Sequence, residues 1–499
     1  MLSRSLKLTA AVPLAGPMLP CICRRSLAHV ANLEDIPTAR DIQKPIARRP
    51  MLTLKVFKED DKPFSVPIAE DSFDTYHLDP PPYLVETTKR ELKQLYRDMS
   101  LIRRMELAAD GLYKDRKIRG FCHLSTGQEA VAVGIEHALT KHDKLITAYR
   151  SHGFTLMRGG TVKSIIGELL GRRDGISYGK GGSMHMFCES FFGGNGIVGA
   201  SVPLGTGIAF AQQYNDANNV TINLYGDGAA NQGQVFESFN MAKLWNLPVI
   251  FGCENNKYGM GTSVERASAM TEYYKRGQFI PGLRINGMDV LAVLSAVRYG
   301  KKFAQAGNGP LVYEYLTYRY AGHSMSDPGI AYRSREELKE QRANDPISSL
   351  KQRLIEWGVF SEEDAKSIDK EVRSKVNDEV AEAEKMPEPD TKPDILFEDI
   401  YIGSQNASFS KQIAEIQDLL QKSGLKYQMT ATGTAVGLFT QVGPGRSCLA
   451  VSRVIGYAHT LIHQEGIPRI QTDIRMTTRT DKEQPMEGSM LSVERMLAT

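Results

Sequence analysis

The sequence predicts an α/β fold, a parallel sheet flanked by helices, and two stretches carry that prediction. In 221–261 a short β-prone apolar run (221–225) gives way to a segment of helical period at about 232–245, with Phe236, Phe239, Met241, Leu244 and Trp245 as its apolar positions, and then to a second apolar run at 248–254. In 280–318 a further strand, the turn residues Asn286-Gly287, a helix reaching about Ala304 and an apolar strand at 310–318 repeat the alternation. Strands that alternate with helices pair in parallel through right-handed crossovers. Residues just beyond such strands emerge at neighbouring carboxyl ends, where open α/β sheets bind ligands. Asp227 and Asn256 are placed there.

The chain has 499 residues, enough for roughly three domains, and 41% of them are hydrophobic, ample for a core. A net charge of +3 gives no electrostatic footprint for nucleic acid. Residues 1–33 hold Arg4, Lys7, Arg24 and Arg25 and no acid, so their removal takes the charge from +3 to −1. Such a start has the character of a mitochondrial transit peptide, with a secretory signal as the alternative. Pro13, Pro17 and Pro20 interrupt its apolar run and argue against a membrane span. The six cysteines (Cys21, Cys23, Cys122, Cys188, Cys253, Cys448) lack CxxC spacing and read as reduced thiols rather than disulfides or zinc ligands. Residues 34–85, rich in proline and charge, read as an extended segment. From Thr87 a long helix carries Leu92, Leu95, Tyr96, Met99, Ile102 and Met105 on one face, a core stripe without chemistry. Residues 336–385 are charged and helical, 385–394 is a proline-rich break, and 395–401 reads as a short strand.

Asp227 sits where the first strand gives out, inside Gly226-Asp227-Gly228. Alone, that tripeptide is as readily a tight turn. Followed after residues 229–254 by Asn255-Asn256, it matches the thiamine diphosphate fingerprint. A carboxylate, an amide oxygen and a backbone carbonyl make an incomplete oxygen shell, which suits Mg²⁺, an ion that takes its remaining ligands from phosphate and water. The flanking glycines let a diphosphate approach the backbone. Upstream, Thr126 and Glu129 have capping-box spacing, which predicts a helix start beside His123 and a positive dipole end that favours an anion. A lone histidine is more often structural than catalytic. Tyr149-Arg150 ends the apolar run 145–148; the arginine's fork of donors suits a diphosphate or carboxylate, though a surface charge has the same look. The glycine-rich segments 179–182 and 193–199 are flexible loops or places of close backbone approach; 193–199 leads into an apolar helix at 203–212 and reads as the second. Beyond the strand at 310–318 lies Arg319-Tyr-Ala-Gly-His323-Ser324-Met-Ser-Asp-Pro-Gly329, a loop of turn formers that composition alone would leave in solvent.

From about 84 to 401 the chain resembles the alpha subunits of the pyruvate dehydrogenase (acetyl-transferring) component, on the blocks RGFCHLSTGQEA, ITAYRSHG, GKGGSMHM, GGNGIVGA, GDGAANQG, ENNKYGMGTSVERA and YRYAGHSMSDPG. The resemblance implies a thiamine diphosphate-binding fold over 86–385. It implies Mg²⁺ held by Asp227, Asn256 and the Tyr258 carbonyl, and the cofactor held by Tyr149, Arg150, Gly228, Ala229 and His323, with Gly196 and Val198 presenting backbone groups to the aminopyrimidine. It places pyruvate at His123, Tyr149 and Arg150, and makes His123 and His323 catalytic, as proton donors or stabilisers of a developing alkoxide. Ser324 and Ser263 match phosphorylation positions, whereas the remaining loop position is Ala331 here. The implied activity is oxidative decarboxylation of pyruvate in the mitochondrial matrix, with the acetyl group passed to the lipoyl arm of dihydrolipoyl acetyltransferase. The carboxylate that activates the aminopyrimidine belongs to a beta subunit in this family, which implies an α2β2 tetramer, regulated by a kinase and a phosphatase. The loop 322–329 favours pyruvate over the nearest alternatives, branched-chain 2-oxoacids and acetoin. An alternative of another class is a non-catalytic thiamine-binding protein; His123, Asp227, Asn256 and His323 together speak against it.

From about 402 the chain resembles a small family of thiamine-binding proteins of ferredoxin-like βαββαβ fold, on IGSQNASFSKQIAEIQDLLQKSGLKYQM, RVIGYAHTLIHQEG and RIQTDIRMTTRTDK. This implies an α+β domain over 404–499, joined through a linker and strand at 386–403. The residues agree in part. Ser408 can cap a helix whose stripe is Ile413, Ile416, Leu419 and Leu420 and which ends at Gly424. A strand from Lys426, a helix over 449–464, a strand from Arg469 and a helix near Met486 follow. Residues 395–402 have to supply its first strand, and 438–452 departs from the family's turn and helix start. The join is a fusion or an error in the gene model, and these two departures favour the error.

Overall fold

The computed structural model describes residues 59–390 and two further strands at 426–430 and 433–437. Its first elements are β1 (Phe64–Pro67), β2 (Phe73–Tyr76) and β3 (Leu84–Thr87). The proline-rich segment is therefore extended over these residues, and it is also paired: β1 lies antiparallel to β3, and β2 joins the edge of the main sheet. Helix α1 (Lys89–Lys114) begins at Thr88, whose hydroxyl accepts from the Glu91 N–H, and it buries the stripe expected of it, Leu92 to Met105. Helix α2 (Glu129–Ala138) starts two residues later than the capping-box spacing suggests. Gly127 is left-handed at φ 95°, so Thr126 is not the cap. The Glu129 carboxylate instead accepts from the Gly127 N–H and pairs with Arg103 of α1.

There follow β4 (Lys144–Ile146), α3 (His152–Met157), α4 (Val162–Leu169), α5 (Ser201–Tyr214), β5 (Thr221–Gly226), α6 (Gly233–Leu244) and β6 (Val249–Asn255). The two-residue strands β7 (Tyr258–Gly259) and β8 (Thr262–Ser263) precede the short α7 (Val264–Ala267), β9 (Gly282–Asn286), α8 (Val290–Phe303) and β10 (Leu311–Leu316). Helices α9 (Arg335–Ala343), α10 (Pro346–Glu356) and α11 (Glu362–Glu384) make up the charged helical stretch, and β11 (Lys426–Thr430) pairs antiparallel with β12 (Gly433–Gly437).

The main sheet has the order β2-β9-β10-β6-β5-β4 and is parallel except for the edge strand β2. Ile222, Leu224, Ile250, Phe251, Cys253, Leu311, Val312 and Tyr313 are fully buried, as strands covered on both faces must be. Because β10, β6, β5 and β4 are adjacent and point the same way, their carboxyl ends form one rim.

The apolar positions of α6 do not share a buried face. Phe239 enters the core with Val235 and Ala242, whereas Phe236, Leu244 and Trp245 are exposed. Leu204, Phe210 and Tyr214 of α5 are exposed as well, and Phe210 packs on both Tyr214 and Trp245. Periodicity identifies apolar side chains but not what covers them.

The strand expected from Lys426 is present as β11, and β12 falls in a glycine-containing stretch that gave no strand signal. The expected strand at 395–401, the other C-terminal helices and strand, and the leader at 1–33 lie outside the described residues. Among the described residues no helix is long and apolar enough to cross a membrane, and Cys122, Cys188 and Cys253 are free thiols, as their spacing suggested.

Candidate active site

Loops leaving the rim carry most of the expected site residues: Tyr149 and Arg150 after β4, Asp227 to Ala229 after β5, Asn256 and Tyr258 after β6, and His323 and Ser324 after β10. His123 comes from the loop between α1 and α2. Three of these side chains meet. The His123 ring centroid is 4.5 Å from that of Tyr149 and 5.2 Å from that of His323, and Tyr149 lies 5.5 Å from His323.

Arg150 ties the cluster together. Its buried guanidinium donates to the carbonyl oxygens of Leu124 and, at 2.9 Å, His323. No carboxylate pairs with it among the described residues, and three of its five N–H donors stay uncommitted. Burial, and then the nearby Arg319, lower it to about 10, so it remains charged at neutral pH. Burial, followed by Arg150, also pushes His123 down to about 3 and His323 to about 4. Both imidazoles are therefore neutral at pH 7. The Nδ1 atom of each is buried and without a hydrogen-bond partner among the described residues, which is what a polar ligand would satisfy.

Asp227 is 3% exposed, and among the described residues no basic side chain comes within ion-pair distance of it. Burial raises its carboxyl to about 6, against the pull of backbone N–H groups and of Arg319. The β7–β8 turn folds over it: a Cβ on Gly259 would stand 3.2 Å from the Gly228 Cα and 3.7 Å from Asp227 Oδ2. Asn256 donates Nδ2 to Gln128 Oε1 at 3.0 Å, and its Oδ1 has only a long 3.5 Å contact from the Tyr258 N–H. The Tyr258 carbonyl accepts from Arg319 Nη1 at 3.2 Å, which leaves it one lone pair. Among the described residues no three His, Cys, Asp or Glu side chains gather as a metal site, so a cation here would rest on one carboxylate plus amide and carbonyl oxygens.

Gly196 lies against the imidazole of His185, where a Cβ would come within 3.3 Å of the ring. The Val198 carbonyl accepts from Gln232 Nε2 at 3.1 Å, beside the start of α6. No hydrogen bond or ring contact joins Gly196 or Val198 to the histidine pair. Ala229 is buried in a single turn, 229–231, that follows Gly228.

The loop after β10 is not the exposed connection its composition suggested. Asp327 accepts from the His323 N–H (2.7 Å), the Gly329 N–H (2.8 Å) and the Tyr332 hydroxyl (2.6 Å). Arg333 donates to the carbonyls of Arg319, Tyr320 and Ala321. Ser324 is 7% exposed, with its hydroxyl 2.9 Å from that of Ser326. Ser263 is half-buried at the start of α7 and makes no side-chain cap.

Sequence reasoning missed the residues that brace this arrangement. Glu168 accepts backbone N–H groups from Ser177, Gly179, Gly181 and Gly182 at 2.7–2.9 Å, which turns the 179–182 glycine segment from a flexible loop into a fixed one. Glu254 is buried at the end of β6, its carboxyl pushed up to about 7 by desolvation. Glu106, His152 and Ser183 make a further buried group. The available signal for Glu106 was an acid placed among Met105, Ala109 and Leu112 in an apolar helical stripe.

Residues 97–392 match the model of the dehydrogenase E1 component family. The chain belongs to that family. It is 60% identical over 406 residues to the mitochondrial pyruvate dehydrogenase E1 component subunit alpha of Chaetomium thermophilum, covering 81% of this chain and 95% of the relative. It is 59% identical over 352 residues to the Saccharomyces cerevisiae protein of that name (70% and 84%). The somatic form from Homo sapiens is 57% identical over 310 residues (62% and 80%). Residues 397–494 match the thiamine-binding protein family, so both sequence resemblances reappear.

The depressed histidines carry a sign for stability. Between pH about 6.5 and 4 the unfolded chain binds protons at positions 123 and 323 that the folded chain does not, so their contribution is present at neutral pH and is lost on acidification. Asp227 and Glu254, raised by burial, act with the opposite sign, and variants must therefore be compared at each pH. Chemical denaturation should show a steeper loss of stability from pH 6.5 to 4.5 in the wild type than in the His123→Gln/His323→Gln variant. Equal slopes would show that burial does not hold these rings neutral.

Proposed function

We infer that this chain works as the alpha subunit of a pyruvate dehydrogenase E1 component, in the mitochondrial matrix. Its reaction is the thiamine diphosphate- and Mg²⁺-dependent oxidative decarboxylation of pyruvate, with the acetyl group passed to the lipoyl group of dihydrolipoyl acetyltransferase. The observation that carries this reading is the His123–Tyr149–His323 cluster around Arg150, on the rim that also carries an Asp227 without a cationic partner among the described residues.

The residues present fit both groups. A buried carboxylate whose charge burial opposes is stabilised by a hard cation, and Asp227, the Asn256 amide oxygen and the Tyr258 carbonyl are the oxygen donors such an ion takes. A Cβ on Gly228 or Gly259 would stand only 3.3 or 3.2 Å from the other's Cα, so the two backbones lie close together and the bare backbone of Gly228 can approach a diphosphate. Tyr149 and the uncommitted donors of Arg150 hold the cofactor from the β4 side, and Gly196 and Val198 offer backbone groups to its aminopyrimidine. When bound, the thiazolium ring supplies the electron sink for decarboxylation. The chain's own contribution is positional and electrostatic. Arg150 draws the pyruvate carboxylate toward His123 and Tyr149, and the neutral imidazoles of His123 and His323 hold or give a proton at the reacting end. The fastened loop 319–329 keeps water out.

Residues 1–33 serve as the transit peptide, 86–385 as the cofactor domain and 404–499 as the thiamine-binding-protein-like domain. The exposed aromatic face of α5 and α6 is where a beta subunit docks in an α2β2 tetramer, since large clustered apolar patches mark interfaces. A kinase and a phosphatase act on Ser324 and Ser263. At Ser324 a phosphate adds about −1.5 to −2 charges beside His323 and Asp327, so the Asp327-centred hydrogen bonds that order the loop do not survive it.

Three measurements test these assignments. Asp227→Asn, purified with the beta subunit, should lose thiamine diphosphate affinity at least tenfold with its melting temperature little changed; wild-type affinity would remove Asp227 from the metal site. The purified chain alone should decarboxylate no pyruvate, and adding the beta subunit should start turnover; activity from the isolated chain would place the activating carboxylate here. After treatment with a pyruvate dehydrogenase kinase, the wild-type tetramer should be inactivated and the Ser324→Ala tetramer largely spared; equal inactivation would move the switch elsewhere.

A further inference from the structure

Behind the histidine cluster three buried side chains from three separate elements form a continuous hydrogen-bonded line. Glu106 of α1, His152 at the start of α3 and Ser183 in the turn at 182–184 are exposed by 0%, 1% and 6%. Glu106 Oε2 lies 3.0 Å from His152 Nδ1, and His152 Nε2 lies 2.9 Å from Ser183 Oγ. Ser183 Oγ in turn accepts from the backbone N–H of His123 at 3.3 Å. The other carboxylate oxygen of Glu106 accepts from Ser125, from both its N–H (3.0 Å) and its hydroxyl (2.7 Å).

We propose that Glu106, His152 and Ser183 are positioning residues for the reaction: they hold the main chain of 123–125 and so fix where the His123 imidazole stands against the substrate. This rests on the reading of His123 as a group that acts on pyruvate.

Every member of the line finds a hydrogen-bond partner. Glu106 is ionised and accepts throughout, so the His152 Nδ1–H points to it; the contact between His152 Nε2 and Ser183 Oγ can run in either direction, and in both cases Ser183 Oγ keeps a lone pair for the His123 N–H. Burial works against the ionised carboxyl, but His152 and Ser125 hold Glu106 below the ordinary carboxylate range. The result is a clamp on three consecutive residues. The His123 N–H goes to Ser183, the Ser125 N–H goes to Glu106, and the Leu124 carbonyl between them goes to Arg150. None of the three relay side chains needs to touch a ligand for this. Truncating one member of a buried polar network leaves its partners unsatisfied and lowers stability as well, so the test has to separate position from folding.

The experiment uses the reconstituted tetramer. Ser183→Ala removes the hydroxyl between His152 and His123 with little change in volume. It should lower kcat for pyruvate about 10- to 100-fold, the scale of a small misplacement of a catalytic group, with thiamine diphosphate affinity near wild type and a thermal midpoint lowered by the two buried polar atoms left unpaired. Ser183→Thr, which keeps the hydroxyl, should recover most of the rate. His152→Asn keeps a donor near Glu106 but cannot reach Ser183, and it should reproduce the loss. In a His123→Ala background neither change should lower kcat further, because the path to the substrate is already cut. Wild-type kcat in Ser183→Ala and His152→Asn, or an equal loss in both backgrounds, overturns the relay. Full turnover by His123→Ala alone overturns the reading of His123 itself, and the relay with it, which separates the two failures.

Discussion

Arg150 is charged, buried and bonded to main-chain oxygens alone, those of Leu124 and His323, and the geometry of the rim depends on that bridge. Hydrogen bonds from a charged donor contribute about 1.5–3 kcal/mol each when they replace water well. Here they join two loops that no strand pairing connects. Segment 122–126 behaves as a short unpaired strand with two edges. Its carbonyls at 122, 124 and 126 accept from the Met325 N–H, from Arg150 of the loop after β4 and from the Tyr320 N–H. Its N–H groups at 123 and 125 face the opposite way and are taken by Ser183 and Glu106. Alternation of this kind is ordinary strand geometry, used to hold one histidine between a loop and a buried network.

The parallel sheet supplies the other half of the arrangement. The adjacency of β4, β5, β6 and β10 brings Tyr149, Asp227, Asn256 and His323 to one edge whatever the intervening sequence does. The Asp227 end is then built from backbone proximity, Gly228 against Gly259, and the His123 end from rings in contact. Electrostatics divides the two ends in the same way. Burial makes Asp227 hard to ionise without a cation and keeps His123 and His323 neutral without one.

How much of this was legible in the sequence follows from the range of each interaction. The strands β5, β6, β9 and β10 and the stripe of α1 were legible because apolar runs and helical periods are local. Asp227 and Asn256 were legible because each sits immediately beyond a strand. The start of α2 was misread because Gly127 turns left-handed and Glu129 finds Arg103, a residue 26 positions earlier. Composition alone would leave the loop after β10 in solvent, but Asp327 and Arg333 satisfy much of its backbone internally, which is what allows Ser324 and Gly329 to be buried. The clasp at Glu168 and the line Glu106–His152–Ser183 were invisible for the same reason: each joins segments whose proximity exists only after folding. The role of His123, His323, Gly196 and Val198 came from resemblance and not from pattern.

The uncovered aromatic face of α5 and α6 has a consequence outside catalysis. Phe210, Tyr214, Phe236, Leu244 and Trp245 are a sticky surface for as long as they meet water, and clustered apolar groups of this kind promote aggregation and recognition by holding chaperones. On the proposal that a beta subunit docks on this face, chain made in excess of that subunit keeps the face in water and is prone to self-associate. Under that proposal gene dosage becomes a matter of proteostasis, because the chain has to be supplied in step with the subunit that covers it.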